Sequence, residues 1–510
     1  MKPPTPSFER YNRLLLAVCG SAGLMWGVDI GLIAAAVPYI KATCDFSSTE
    51  LSAVVAAVLL GTIFGKLVGA QCAERLGRLL ALRLTAVVLA VSVPIICLSN
   101  GAFLPMFVGR ILQGVGCGMV GLVTPLYMVE TSPAESRGKG AGMIQLFVCI
   151  GLVVVALIGL AITSFFGAAD SAIVSIADKT MAWKTIFWIS AVPTVFLFGG
   201  TFFVSESPRW LFARGCRDAA KGSLLRNNDP EAAEATLAEL GRIAAEQCRT
   251  DGAVASARET VFQRKYMIPV LLAGTIAVCT QFCGINMILN FSVVLAQKAG
   301  LAHTLANWSD TILKGVNLGM TLVAMALVDK KGRRLLLSIG SGGMTVGLAL
   351  VGTVFALLEH DVLTASSATG WLATAGLVFF IAAFAIGPGI CIWLAESELL
   401  PLRIRANAMM AIGFVQMGSS WLLAQLFLPW SERFGESSVF FTLSAVCILF
   451  FITVVAFLPE TKGKSLEEIE MHFRGVASRE KNSVGCESGC MSADSWQQHP
   501  RGCCLKDSDV

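Results

Sequence analysis

The sequence predicts an all-α polytopic membrane protein with twelve transmembrane helices in two six-helix halves, joined by a cytoplasmic helical linker. Three observations carry this. Twelve apolar runs are long enough to cross a bilayer, which takes about 20 residues each. A polar stretch of about 60 residues separates the sixth run from the seventh. Charged clusters then recur after equivalent runs in the two groups. Composition agrees, because only 15% of the 510 residues are charged and 55% are hydrophobic, whereas soluble domains carry about 25% charged residues.

The runs fall at about 12–39, 50–72, 79–99, 103–128, 140–164, 184–204, 267–293, 311–328, 335–358, 371–399, 406–429 and 438–458. They set an N-terminal half over 1–204, a linker over 205–265, a C-terminal half over 266–458 and a tail over 459–510. Before the first run, Met1 to Tyr11 is polar, and the run itself continues too far for a cleavable signal, so the N-terminus is expected to stay inside. Connections on its side of the membrane hold roughly 20 Lys and Arg against roughly 5 on the other, which places both termini and the linker in the cytoplasm. The expected location is a plasma or inner membrane. In the linker, the pattern from Pro230 to Leu240 reads as an amphipathic helix.

The fourth run opens with Arg110 about two turns inside the bilayer, a costly place for a guanidinium unless it meets a partner or water. Gly114, Gly116, Gly118 and Gly121 follow it and would let neighbouring helices approach closely. Asp29, on the first run, lies at a compatible depth, so the two are expected to meet. A carboxyl whose protonation responds to an arginine or to water access is a candidate proton carrier.

The halves repeat. Glu74 to Arg78 follows the second run, and Asp329 to Arg333 and Arg334 follow the eighth. Glu130 stands seven residues before Arg137, and Glu398 seven before Arg405. Glu206 and Arg209 follow the sixth run, and Glu460 and Lys462 the twelfth. Parallel six-span halves with a midplane site are a transporter architecture. These carboxylates and arginines are expected to gate it, pairing between the halves at the inner face when that face is closed.

Inside the spans, Gln145, Thr280, Gln281, Asn286, Asn290 and Ser420 are polar without charge, with Trp26, Phe384 and Trp393 among the aromatics. Amides for hydroxyls and indole faces for C–H surface suit a small neutral sugar. Most of the sixteen cysteines stand singly in apolar runs as small hydrophobes. No ligand spacing suggests a metal, and neither a cofactor nor a nucleic acid is expected. Asn307-Trp308-Ser309 fits a glycosylation acceptor on the outer side.

Over about residues 10 to 470 the chain resembles the sugar porter family of the major facilitator superfamily. The matching stretches are Gly27-Val28-Asp29, Gly109-Arg110, Pro125 to Glu130 with Arg137-Gly138-Lys139, Ser205 to Leu211, Gln281 to Asn286, Asp329 to Arg334, Gly387-Pro388-Gly389 ending at Trp393, and Pro459 to Gly463. The resemblance implies the major facilitator fold and sugar contacts at Gln145, Gln281, Asn286 and Trp393. An aspartate at the place of Asp29 goes, in this family, with proton-coupled members. Thr280, Asn290 and Ser420 depart from the family's binding pattern, and Glu74 and Leu79 from its loop pattern. The expected function is a proton-coupled monosaccharide symporter, monomeric and not an enzyme, importing a hexose or pentose by alternating access. The alternatives are an uncoupled uniporter of a sugar or polyol, and a sugar receptor signalling through the tail that holds Cys486, Cys490, Cys503 and Cys504.

Overall fold

The computed structural model describes residues 6–131, 137–227, 229–254, 264–400 and 404–460. Among the described residues, twelve helical spans are long and apolar enough to cross a membrane. Six come first: α1 (Pro6–Thr43), α2 (Ser48–Arg75), α3 (Arg78–Cys97), α4 (Phe103–Thr131), α5 (Arg137–Phe166) and α6 (Ile176–Gly200). The linker supplies α7 (Pro208–Ala213), α8 (Arg217–Leu225) and α9 (Pro230–Val254). The second group is α10 (Arg264–Phe282) with α11 (Ile285–Lys298), α12 (His303–Lys331), α13 (Arg333–Glu359), α14 (Ser367–Ile386) with α15 (Pro388–Leu399), α16 (Arg405–Phe434) and α17 (Glu436–Phe457).

Glycine sets how closely the N-terminal helices pack. A Cβ on Gly61 or Gly65 of α2 would lie 2.2 or 2.1 Å from the Ile111 or Val115 carbonyl of α4, and one on Gly114 of α4 would lie 2.2 Å from the Val58 carbonyl of α2. The backbones therefore touch directly, the membrane alternative to packing through large side chains.

Two spans are broken. The seventh stops at Phe282 and restarts at Ile285 through Gly284, whose φ of 87° is left-handed. A side chain there would also meet Leu443 at 2.7 Å. The tenth breaks at Gly387, because Pro388 starts α15 and cannot donate the hydrogen bond that would continue α14. Both breaks put candidate sugar contacts beside a helix end.

Sequence reading starts the eighth span near 311, whereas α12 begins at His303. His303, Asn307 and Asp310 are polar yet buried, and a polarity pattern assigns such residues to a loop. Asn307 is consequently not a glycosylation acceptor on an exposed loop. It is 2% exposed and donates to Thr163 Oγ1 of α5 at 3.1 Å.

Linker helices α7 and α8 dock on the N-terminal half. Tyr127 Oη donates to the Ser205 carbonyl at 2.5 Å, and Ser223 Oγ to that of Glu206 at 2.7 Å. Helix α9 closes a small apolar cluster of Ala220, Leu224, Ala233 and Leu237. The halves meet toward the rim opposite the chain's N-terminus. There Ser48 Oγ donates to Glu432, Gln425 Nε2 to the Thr49 carbonyl at 3.4 Å, and the His303 ring stands edge-on to Tyr39.

Candidate functional site

Three sets of polar groups stand out, and each owes its geometry to local helix construction. The first lies in the N-terminal half. Asp29 and Arg110 are 2% and 1% exposed, and they meet through Gln113. Arg110 Nη1 donates to Gln113 Oε1 at 2.7 Å, and Gln113 Nε2 donates to Asp29 Oδ1 at 2.8 Å. Helical spacing accounts for it, because Gln113 and Cys117 follow Arg110 at i+3 and i+7 on one face of α4. Cys117 Sγ approaches Asp29 Oδ2 at 3.5 Å, and the Phe187 ring lies 5.8 Å from the guanidinium. Sequence reasoning overlooked Gln113. An amide one turn from an intramembrane arginine was the available signal.

The second set flanks the break of the seventh span. Asn286 Nδ2 donates to Gln281 Oε1 at 2.9 Å and to Ser420 Oγ at 2.7 Å. Gly284 makes this contact possible by turning the chain between the two amides. One turn before Ser420 on α16, Gln416 is 1% exposed and both of its amide atoms lack a partner among the described residues. Burying an amide unpaired costs about 1–3 kcal/mol, so Gln416 joins the candidate sugar contacts that sequence reading missed. Its signal was an amide at i−4 from Ser420.

The other predicted contacts are spread more widely. Gln145 Nε2 reaches Cys149 Sγ at 3.8 Å, which in turn lies 3.6 Å from Thr321 Oγ1 across the halves. Thr280 spends its hydroxyl on the Ile276 carbonyl of its own helix at 2.8 Å, so it supports the helix rather than offering a donor. Asn290 is buried on α11. Trp26 packs toward Gly121, and Phe384 toward Gly389. Trp393 falls in α15, with its side chain outside the described residues, as are those of Arg137, Asp329 and Arg405.

The third set lies at the rim carrying the N-terminus. Arg78 grips Glu130 with two parallel bonds of 2.8 Å, and Ser207 Oγ adds a third donor to that carboxylate at 2.5 Å. Glu206 caps the start of α3, accepting the Arg78 N–H at 3.0 Å and the Leu79 N–H at 3.0 Å. The C-terminal half repeats the arrangement. Arg333 pairs with Glu398 at 3.2 Å, and Glu460 accepts the N–H groups of Arg333 and Arg334 at 3.1 and 3.3 Å. A carboxylate at a helix N-terminus satisfies backbone donors and complements the dipole. Sequence reading expected pairing between the halves when the inner face is closed; in this conformation Arg78–Glu130 and Arg333–Glu398 each pair within one half. They fasten the helices of a half to one another. Glu74 takes part through its carbonyl, which accepts from Trp210 Nε1 at 2.9 Å, while Arg209 sits half-buried in α7.

Gly77 and Gly332, at φ of 99° and 87°, each leave room for the capping carboxylate. A Cβ on Gly77 would lie 2.5 Å from Glu206 Oε2. Gly77→Ala is expected to destabilise the protein by about 1–3 kcal/mol, read as a lower unfolding temperature in detergent.

The model of the family described as "Sugar (and other) transporter" matches residues 15–473. The chain belongs to this sugar transporter family. It is 30% identical over 466 residues to the glucose transporter GlcP of Staphylococcus epidermidis, covering 91% of this chain and 98% of that protein. It is 29% identical to the galactose-proton symporter of Escherichia coli K12, covering 91% and 94%. Among solved structures, the inward open conformation of the E. coli xylose transporter XylE superposes with a TM-score of 0.73 at 25% identity, covering 91% and 99%. This family member is thus a multi-pass membrane transporter with the major facilitator fold.

A buried ion pair lies where sequence reading singled out no residue. Lys314 Nζ pairs with Asp310 Oδ2 at 2.7 Å on α12, with side chains 0% and 1% exposed. Ser292 Oγ of α11 donates to Asp310 Oδ1 at 2.6 Å, and Lys314 Nζ reaches across the halves to the Gly31 carbonyl of α1 at 3.3 Å. Lysine one turn after aspartate, inside an apolar stretch, was the sign that went unread.

Proposed function

We propose that this protein is a proton-coupled monosaccharide symporter that alternates access by rocking its two halves, importing a hexose or pentose. The observation that carries the reading is the buried Asp29, held two residues from the cross-half contact at Gly31 and linked through Gln113 to Arg110. A carboxyl so placed can exchange a proton when the halves move and water access changes. The similarity to a galactose-proton symporter supports the coupling, and the uncharged amides Gln281, Asn286 and Gln416 support a neutral, hydroxyl-rich substrate. The positive-inside count supports a cytoplasmic Arg78 and Arg333 rim. In that orientation, halves joined toward the opposite rim make an inward-facing conformation. The rim pairs then keep each half rigid as it rocks.

The test is uptake in proteoliposomes across a panel of labelled sugars, with and without an imposed pH gradient, alongside counterflow. Accumulation only with the gradient supports symport. Counterflow without gradient-driven accumulation means uniport. For the sugar contacts, Gln281→Ala, Trp393→Ala and Gln416→Ala are each expected to weaken binding at least tenfold, about 1.4 kcal/mol. Titration of the purified variants measures it, and unchanged affinity in all three would move the site elsewhere.

A further inference from the structure

We propose that Gln113 is the positioning residue of the proton site, relaying the charge state of Asp29 to Arg110 across a gap that the two charged side chains do not close themselves. The inference rests on the symport reading for its transport consequences but not for its chemistry. A guanidinium only donates hydrogen bonds and a carboxylate only accepts them, so a neutral group between them must accept at one end and donate at the other. A primary amide does both. Arg110 therefore fixes the orientation of the Gln113 amide, with Oε1 toward Nη1 at 2.7 Å and Nε2 toward Asp29 Oδ1 at 2.8 Å.

Burial enforces the relay. Gln113 is 1% exposed, and its place at i+3 from Arg110 keeps both on α4 while Asp29 comes from α1. The surroundings leave few other charges. On α4, Arg110 and Cys117 face the site, the latter reaching Asp29 Oδ2. Helix α2 offers the Val54 carbonyl to Arg110 Nε at 3.4 Å. Helix α6 offers the Phe187 ring and the Ser190 hydroxyl. From α12, Lys314 approaches the backbone at Gly31, already paired with Asp310.

When Asp29 takes up a proton, Oδ1 becomes a weaker acceptor and the carboxyl gains a donor that suits Oε1 rather than Nε2. The bond from Nε2 loosens, and the amide is no longer held in the orientation that presents Oε1 to Nη1. Its hold on Arg110 weakens, and the guanidinium turns toward the Val54 carbonyl it already touches. Protonation of a residue on α1 thereby loosens a bond on α4, with no direct contact between the charges. The amide thus decides how strongly the carboxyl's proton depends on the arginine.

The test is to replace Gln113 with methionine, which keeps length and removes both bonds, and with glutamate, which keeps the acceptor for Arg110 but adds a like charge beside Asp29. Infrared titration of the full-length protein follows the carboxyl C=O band that Asp29→Asn removes. The pH at which that band appears should shift in both Gln113→Met and Gln113→Glu, because each removes the N–H donor to the carboxylate. The pH profile of gradient-driven uptake should move the same way. A structural filler at 113 would instead lower counterflow and leave the titration in place. An Asp29 band that titrates identically in the parent and both variants overturns the relay. A shifted band in a protein that shows no gradient-driven uptake upholds the relay and overturns the symport reading.

Discussion

Replacing Asp29 with asparagine is expected to abolish sugar accumulation driven by a pH gradient while leaving counterflow of the same sugar intact. Asparagine keeps the shape and an acceptor oxygen for Gln113 Nε2, so the network on α4 can still form. It cannot exchange a proton. Transport down a sugar gradient needs only the rocking of the halves, whereas accumulation needs a proton to be carried with each cycle, so the two assays separate. Because a proton gradient of two pH units can sustain roughly hundredfold accumulation for one proton per sugar, the expected change is from that order to none. Persistent gradient-driven accumulation by a well-folded Asp29→Asn protein would remove the proton role altogether. Equal loss of counterflow would show that Asp29 serves only to hold α1 against α4.

The second large effect concerns Lys314. Methionine at this position leaves the Asp310 carboxylate buried with Ser292 Oγ as its remaining hydrogen-bond donor among the described residues, and breaking a buried pair in this way costs about 3–5 kcal/mol. The cross-half bond to the Gly31 carbonyl goes with it. The single variant should therefore unfold at a clearly lower temperature and should label more readily at cysteines placed on the rim opposite the N-terminus. Pairing it with Asp310→Asn removes the orphaned charge, and the double variant should recover most of the thermal stability while keeping the altered labelling. Equal unfolding temperatures for the parent and Lys314→Met would mean that the pair contributes nothing to the fold. Recovery of both properties in the double variant would mean that Lys314 balances charge without joining the halves.

The sequence by itself determined the twelve spans, because bilayer thickness demands an apolar run of a certain length and each run is contiguous in the chain. It also identified the matched rim clusters and the intramembrane Asp29 and Arg110, since a charge in an apolar run is visible without any partner. Relations between distant segments were a different matter. That Glu206 caps α3, that Arg78 holds Glu130 of its own half, and that Gln113 stands between Asp29 and Arg110 depend on which helix faces meet, and backbone approach at Gly61, Gly65 and Gly114 sets those faces. The Asp310–Lys314 pair escaped for the opposite reason. Mutual neutralisation lets two charges lie in a membrane interior, so polarity along the chain marked a loop where tertiary contact had made a helix.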